Sequence, residues 1–264
     1  MREAHSLKFR LAGWRHEWRT RKTPASLARG FAARTCEWLA GRTFTYGIAI
    51  PLGLPKSSRM LDVGYGSGLW LLAMAELGWR DLHGFDIDAN PENRARLEQA
   101  GVNVRSGDFV KSDFPENSFD CIRLEHVFEH LPNPVEVLLK CRSLLKEGGL
   151  LLLSYPTIES LAFAAAGEDY EQLDLPRHIT HQTVASTRFL LGRTGFAAER
   201  IARAPMARCF GSSVNARLQR RKIRIPPILF KILGPAYYAI SKAARRGENI
   251  MVIARKQSNG SRVL

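Results

Sequence analysis

The stretch Asp62-Val63-Gly64-Tyr65-Gly66-Ser67-Gly68 is the first place in this 264-residue chain where residue types and spacing suggest chemistry. Glycines at alternate positions let a backbone turn with positive φ and pass close to a ligand without Cβ atoms in the way. Acidic groups recur downstream at Asp86, Asp108 and Glu125-His126. An acid about 20 residues after such glycines is placed to accept both hydroxyls of a ribose. Imidazoles follow at His126, His130 and His178. A histidine can take the proton of an acceptor hydroxyl near neutral pH. Glu125, Glu129 and His130 could also hold a metal ion, but Glu129 and His130 read more simply as loop-orienting residues, so no metal is expected.

These groups need a scaffold. Met60–Gly64 reads as a short buried strand, and Leu69–Leu77, apolar on nearly every face, as a buried helix stopped by Gly78. Leu82–Ile87 is a second strand. Asn90-Pro91 opens a helix with a capping side chain and a proline in its first turn, ending at Gly101. Val102–Arg105 and Phe119–Leu124 are further strands, and Asn133-Pro134 repeats the cap signal for a helix ending at Gly148-Gly149. The continuous apolar run Leu150–Leu153 suits a central parallel strand. Thr183–Gly195 reads as a helix, and Phe196–Ile201 and Ile250–Ala254 as the last strands. Strands alternating with helices at this spacing predict an open, doubly wound α/β sheet with right-handed crossovers. Its ligands would lie at the carboxyl ends of the strands, where Asp62, Asp86, Asp108 and Glu125 fall.

Two cofactors compete for such a loop, a nicotinamide dinucleotide and S-adenosylmethionine. A dinucleotide site calls for G-x-G-x-x-G, and this turn is G-x-G-x-G. An acidic loop repels a pyrophosphate but suits a sulfonium cation that also bears an ammonium group. The electrostatics favour S-adenosylmethionine.

With those residues in view, LDVGYGSG resembles the first motif of class I S-adenosylmethionine-dependent methyltransferases. GFDID, GDF, FDCIRLEHVFEHL with LPNPVEVL, and LLKEGGLLLLSYP resemble the segments that follow it. Within that superfamily, EHLPNP and LDLPRHIT resemble the ubiquinone-biosynthesis-like O-methyltransferases and enzymes of surface polysaccharide and lipid pathways. The resemblance implies a Rossmann-like seven-stranded sheet of order 3-2-1-4-5-7-6 with strand seven antiparallel. It implies that Asp86 binds ribose hydroxyls, that Asp108 lies near the adenine amine, and that Gly64–Gly68 surround the methionine portion. Asp62, Tyr65, Ser67, Ile87, Phe109, Leu124 and Glu125 complete the expected cofactor contacts, Tyr65 without needing to enter the site. His126, His130 and His178 are the catalytic candidates, and Tyr155 is a further pocket residue. The ubiquinone enzymes carry a Glu where this chain has His126. No N-P-P-Y amino-acceptor signature follows strand four, so oxygen is the expected methylated atom.

Charge is distributed unevenly. Residues 1–59 carry 12 Lys and Arg against 3 Asp and Glu, residues 60–200 carry 13 against 21, and residues 201–264 carry 14 against 1. Basic ends around an acidic middle direct anionic partners to the ends. The expected division is a basic helical extension over 1–55, with a helix from Thr23-Pro24 to Gly41, a methyltransferase domain over 56–203 and 248–257, and a basic, apolar insertion over 204–247. That insertion reads as a lid or as a segment lying on an anionic membrane surface, its prolines and Lys231 making it a poor transmembrane helix. Cys36, Cys121, Cys141 and Cys209 lack C-x-x-C spacing and read as buried thiols of a reducing cytoplasm. No secretory signal is apparent at the N-terminus. The expectation is a cytoplasmic enzyme, peripheral on the inner face of the membrane, acting on a small-molecule or lipid-linked acceptor. A nucleic-acid methyltransferase using the basic ends and a catalytically silent cofactor-binding assembly partner are the alternatives.

Overall fold

In the computed structural model, which describes residues 54–258, seven strands form one sheet of order β3-β2-β1-β4-β5-β7-β6, the order the resemblance implies. The predicted N-terminal helix lies outside the described residues. The strands are β1 Met60–Val63, β2 Leu82–Asp86, β3 Asn103–Ser106, β4 Phe119–Glu125, β5 Leu145–Pro156, β6 Phe196–Ala204 and β7 Asn249–Lys256. The described chain divides into two compact units, 54–112 with 119–121, and 113–118 with 122–258.

In the first unit β1 pairs parallel with β2, and β2 with β3. All four residues of β1 are buried. Helix α1 (Leu69–Glu76) buries Trp70, Leu71, Ala73 and Met74. Helix α2 (Pro91–Gln99) starts as its sequence signal predicts, with the Asn90 side chain accepting from Asn93 N at 3.1 Å and Pro91 in the first turn.

In the second unit β7 runs antiparallel between β5 and β6, pairing Leu150 with Arg255 through Pro156 with Asn249 on one side. Helix α3 (Pro134–Leu144) buries Val137, Leu138, Cys141 and Leu144. Asn133 stands at its N-cap but makes no side-chain cap bond. The helix also ends four residues before the predicted Gly148-Gly149. Leu145 is already extended (φ −71°, ψ 138°), and cations from β7 take the carbonyls beyond it: Lys256 Nζ donates to Leu145 O at 2.7 Å, and Arg255 Nη1 to Gly148 O at 2.6 Å. Strands β6 and β7 likewise outrun their predicted ends because each pairs along its whole length. Cys121, Cys141 and Cys209 are buried.

Between β5 and β6 come a short helix α4 (Leu161–Ala166), two 3-10 turns (Gly167–Asp169 and Glu171–Leu173) and α5 (Val184–Arg193). The predicted insertion folds into α6 (Ala207–Arg220) and α7 (Pro227–Ala243). One face of α7, with Gly234, Tyr237 and Ser241 buried, packs on α6; Tyr237 stacks on Phe210 at 3.9 Å between centroids. The opposite face leaves Ile228, Leu229, Ile232, Leu233 and Ile240 41–65% exposed. No described helix is long and apolar enough to cross a membrane.

Glu248 ties this arrangement together. Its fully buried carboxyl accepts from Met206 N and from the Tyr237 hydroxyl. Burial raises its pKa to about 7. A raised carboxyl keeps its proton in the folded chain after the unfolded chain has lost it, so stability falls as pH rises from the usual carboxylate range to about 7, then levels off. The amplitude is on the order of 3 kcal/mol. Thermal unfolding followed across pH 4–8 should show this fall in the native chain and a flatter profile in Glu248→Gln, whose amide oxygen can accept from Met206 N while its nitrogen donates to the Tyr237 oxygen.

Candidate active site

The glycine turn closes the first unit at the end of β1. Gly64, Gly66 and Gly68 have φ of 71°, 51° and 71°. Gly68 is needed twice over, since a Cβ there would come within 2.7 Å of Leu97 on α2 as well as being strained by its φ. At Gly66 a Cβ would meet nothing within 4 Å, so the turn's crest is open. Gly66 N donates to Asp86 Oδ2 at 2.8 Å, Asn93 Nδ2 donates to Gly66 O at 3.1 Å, and an Arg96 guanidinium N–H donates to Ser67 O. The acid closing β2 is thus already bonded to the turn.

Beside it, Ile87 is 81% exposed. An exposed aliphatic side chain next to a carboxylate on an open glycine turn fits a flat base with a ribose diol. Asp62 is buried under the turn. Asp108 caps its own loop, accepting from Val110 N at 3.0 Å, and its other oxygen lies 3.4 Å from Lys111 Nζ. Phe109 is buried edge-on to Phe85. Tyr65 points inward, crowding Gly84, and its hydroxyl has no partner among the described residues. Burial, with the Asp86 charge second, raises the pKa of that hydroxyl.

The second unit gathers the imidazoles. Leu124 is wholly buried, so contact with a ligand would fall to its main chain. Glu125 is ion-paired with Arg123, both side chains nearly buried, which removes it from the group of possible metal ligands. Glu129, 1% exposed, takes its place at the centre. His126, at φ 52°, donates from Nδ1 to Glu129 Oε1 at 3.1 Å, and its Nε2 accepts from Asn249 Nδ2 at 3.2 Å. Both nitrogens of His126 are therefore engaged.

His130 and His178 differ from it. Each donates from Nδ1 to a main-chain carbonyl, of Arg177 and Gln172 respectively, both at 2.8 Å. That leaves Nε2 as the acceptor nitrogen of each neutral ring. The rings meet edge to face at 4.8 Å. His178 Nε2 lies 3.9 Å from Glu129 Oε1 and 3.7 Å from Asp174 Oδ2. A hydrogen bond from the Arg177 guanidinium holds the Asp174 carboxyl below the usual range. The loop carrying His178 is strapped down by Ile179 N and Thr180 N, which donate to Glu129 O at 3.0 and 3.2 Å.

Tyr155 does not line a pocket. It is fully buried, stacks on Phe128 and shares a 2.7 Å hydrogen bond with Thr187 Oγ1. Asp174 and Asn249 are the members of the cluster that sequence reasoning missed. A D-x-P-x-H spacing was visible for Asp174; nothing in the sequence signalled Asn249.

A model of the methyltransferase domain family matches residues 33–201, and the chain belongs to that family. Its cofactor class is S-adenosylmethionine. The ubiquinone biosynthesis O-methyltransferase of Xanthomonas campestris pv. campestris is 35% identical over 142 residues, 51% of this chain and 58% of the relative. The chain thus spans somewhat over half the length of the curated relatives it matches. Two solved folds are similar: an S-adenosylmethionine-dependent methyltransferase from Mesorhizobium loti (21% identity, 83% and 97% of the chains, TM-score 0.52) and another from Archaeoglobus fulgidus (19%, 84% and 94%, TM-score 0.52).

If Asp86 holds the ribose, Asp86→Ala should weaken S-adenosylmethionine binding at least tenfold in calorimetry, since hydrogen bonds to a charged group contribute about 1.5–3 kcal/mol. Unchanged affinity would remove Asp86 from the cofactor site.

Proposed function

We propose that this chain transfers a methyl group to a hydroxyl of a small-molecule or lipid-linked acceptor. The observation that carries the choice of oxygen is the buried Glu129 carboxylate flanked by His130 and His178, each of which bonds a main-chain carbonyl through Nδ1 and so leaves its Nε2 to face an acceptor. A hydroxyl of high pKa must lose its proton as its oxygen attacks, and this group supports that loss. When bound, S-adenosylmethionine supplies an electrophilic methyl on a cationic sulfur, which leaves as a neutral thioether. Within the chain, the glycine turn and Asp86 position the ribose, and the strap from Glu129 O to residues 179 and 180 fixes His178. Positioning of this kind supplies much of the rate enhancement in a methyl transfer. The curated relatives' names support an O-methyl transfer.

A lipid-linked acceptor at an anionic membrane surface is supported by α7. Its outward apolar face is flanked by exposed Arg221, Lys222 and Arg224 at one end and Lys242 and Arg245 at the other. Cations beside a shallow apolar face are what an interfacial helix needs. On this reading the 204–247 insertion is the membrane-contacting part and the protein is peripheral.

Labelled methyl transfer into extracted lipids, with RNA and protein as controls, tests the acceptor. Label in lipid is expected; label confined to RNA would overturn the choice, and label nowhere would count against the enzyme. His178→Ala should lower kcat roughly 10²–10⁴-fold while leaving cofactor affinity intact. For the membrane, Ile232→Asp on the exposed face should reduce co-sedimentation with anionic vesicles at least tenfold. Equal binding of the native and variant chains would remove α7 from the contact.

A further inference from the structure

Among the described residues of the second unit, Glu129 Oε2 and Asn249 Oδ1 are buried side-chain oxygens without a hydrogen-bond partner. Glu129 is 1% exposed and Asn249 4%. An unpaired buried oxygen is costly, so each calls for a reason. His126 stands between the two side chains, its Nδ1 3.1 Å from Glu129 Oε1 and its Nε2 3.2 Å from Asn249 Nδ2.

The chemistry of the three groups sets the direction of these bonds. A carboxylate can only accept, so the His126 hydrogen sits on Nδ1. The Nε2 of that neutral ring can only accept in turn, and the group of Asn249 that faces it must be the NH2. Reversing the amide would give Oδ1 a partner only if Nε2 carried the hydrogen. Asn249 therefore selects one tautomer of His126, and its unpaired oxygen is what that selection costs.

Main-chain bonds fix the same residues. His126 has a φ of 52°, and its N donates to Ser154 O at 2.8 Å. Outliers of this kind gather at functional sites. Glu129 O accepts from Ile179 N and Thr180 N, and Asn249 pairs with Pro156 across β5 and β7. Glu129 is thus held at its main chain and at Oε1, and Oε2 alone is left for an incoming hydrogen. A Glu129 oxygen lies within 4.8 Å of a ring nitrogen of the exposed His130, so that ring is the one that must turn aside to admit a hydroxyl.

We propose that Asn249 is a positioning residue for the methyl transfer: by fixing His126 in its Nδ1–H tautomer, it holds Glu129 Oε1 and leaves Oε2 to the acceptor hydroxyl. The acceptor's O–H bond breaks, its electron pair stays on the oxygen that takes the methyl, and the proton passes to Glu129 Oε2 and then to solvent. This role rests on the hydroxyl acceptor proposed above; the tautomer of His126 does not.

Long-range proton–nitrogen NMR of the full chain at pH 8 reads that tautomer, alongside kcat from labelled methyl transfer and cofactor affinity from calorimetry. The native chain should carry the His126 hydrogen on Nδ1. Asn249→Leu roughly keeps the volume and removes the unpaired oxygen, so it should fold, with circular dichroism unchanged. In it the Nε2–H form should become populated and kcat should fall roughly tenfold or more, with S-adenosylmethionine affinity unchanged. His126→Ala should cost about as much, and adding Asn249→Leu to it should cost nothing further, because both act through one oxygen. A native His126 protonated on Nε2, full kcat in folded Asn249→Leu, or losses that add in the double variant would overturn the assignment. No label in any fraction from the native chain would sink the hydroxyl reading alone, and the tautomer shift between the native and Asn249→Leu chains would still decide whether Asn249 sets His126.

Discussion

The antiparallel pairing of β7 against β5 is the constraint on which most of the second unit depends. β7 arrives last in the chain yet lies inside the sheet, with β6 at its other edge, so its residues reach both ends of the strands around it. At one end Asn249 pairs with Pro156 in register and donates to His126, while Glu248, one residue earlier, joins α6 to α7. At the other end Arg255 and Lys256 take the carbonyls of Gly148 and Leu145. A slip of one residue would turn each of these side chains to the opposite face. The register is held because one slip would break all these bonds at once.

The two faces of α7 follow from the same anchoring. Gly234, Tyr237 and Ser241 recur at helical spacing on the buried side, where Glu248 and Phe210 hold Tyr237. With that face fixed, the remaining aliphatic residues have no route inward. Five large apolar side chains at 41–65% exposure on one helix form a larger feature than scattered surface apolar residues usually make. The basic residues at both ends keep that surface from being purely apolar.

Much of the fold was legible because parallel α/β architecture writes itself in apolar runs and helix stops. Met60–Val63 and Leu150–Leu153 are buried throughout, and Asn90-Pro91 begins a helix as its residue types require. The last helical turn before β5 was misread because Gly148-Gly149 resembles a stop signal, whereas the carbonyls there are claimed by cations more than 100 residues away. The glycine turn was legible for a local reason: its glycines, Asp86 and Asn93 lie within 30 residues of one another. The histidine cluster was only half legible. Its identity depends on which nitrogen each ring commits, and the acceptors at Arg177 and Gln172 are main-chain carbonyls that carry no residue signature. Tyr155 shows the converse: a polar tip at a strand end suggests a pocket, but Thr187 on α5 satisfies its hydroxyl inside the core.

The bond from Gly66 N to Asp86 Oδ2 has a consequence for affinity. Because this carboxylate already holds the turn, a ribose diol bound at Asp86 as proposed would share or exchange an existing hydrogen bond and gain less than it would from a bare carboxylate. In return the loop meets its ligand already ordered, braced by Asn93 and Arg96 from α2 and by Leu97 pressed against Gly68. The entropy of ordering has been lost during folding, so it is not charged again at binding.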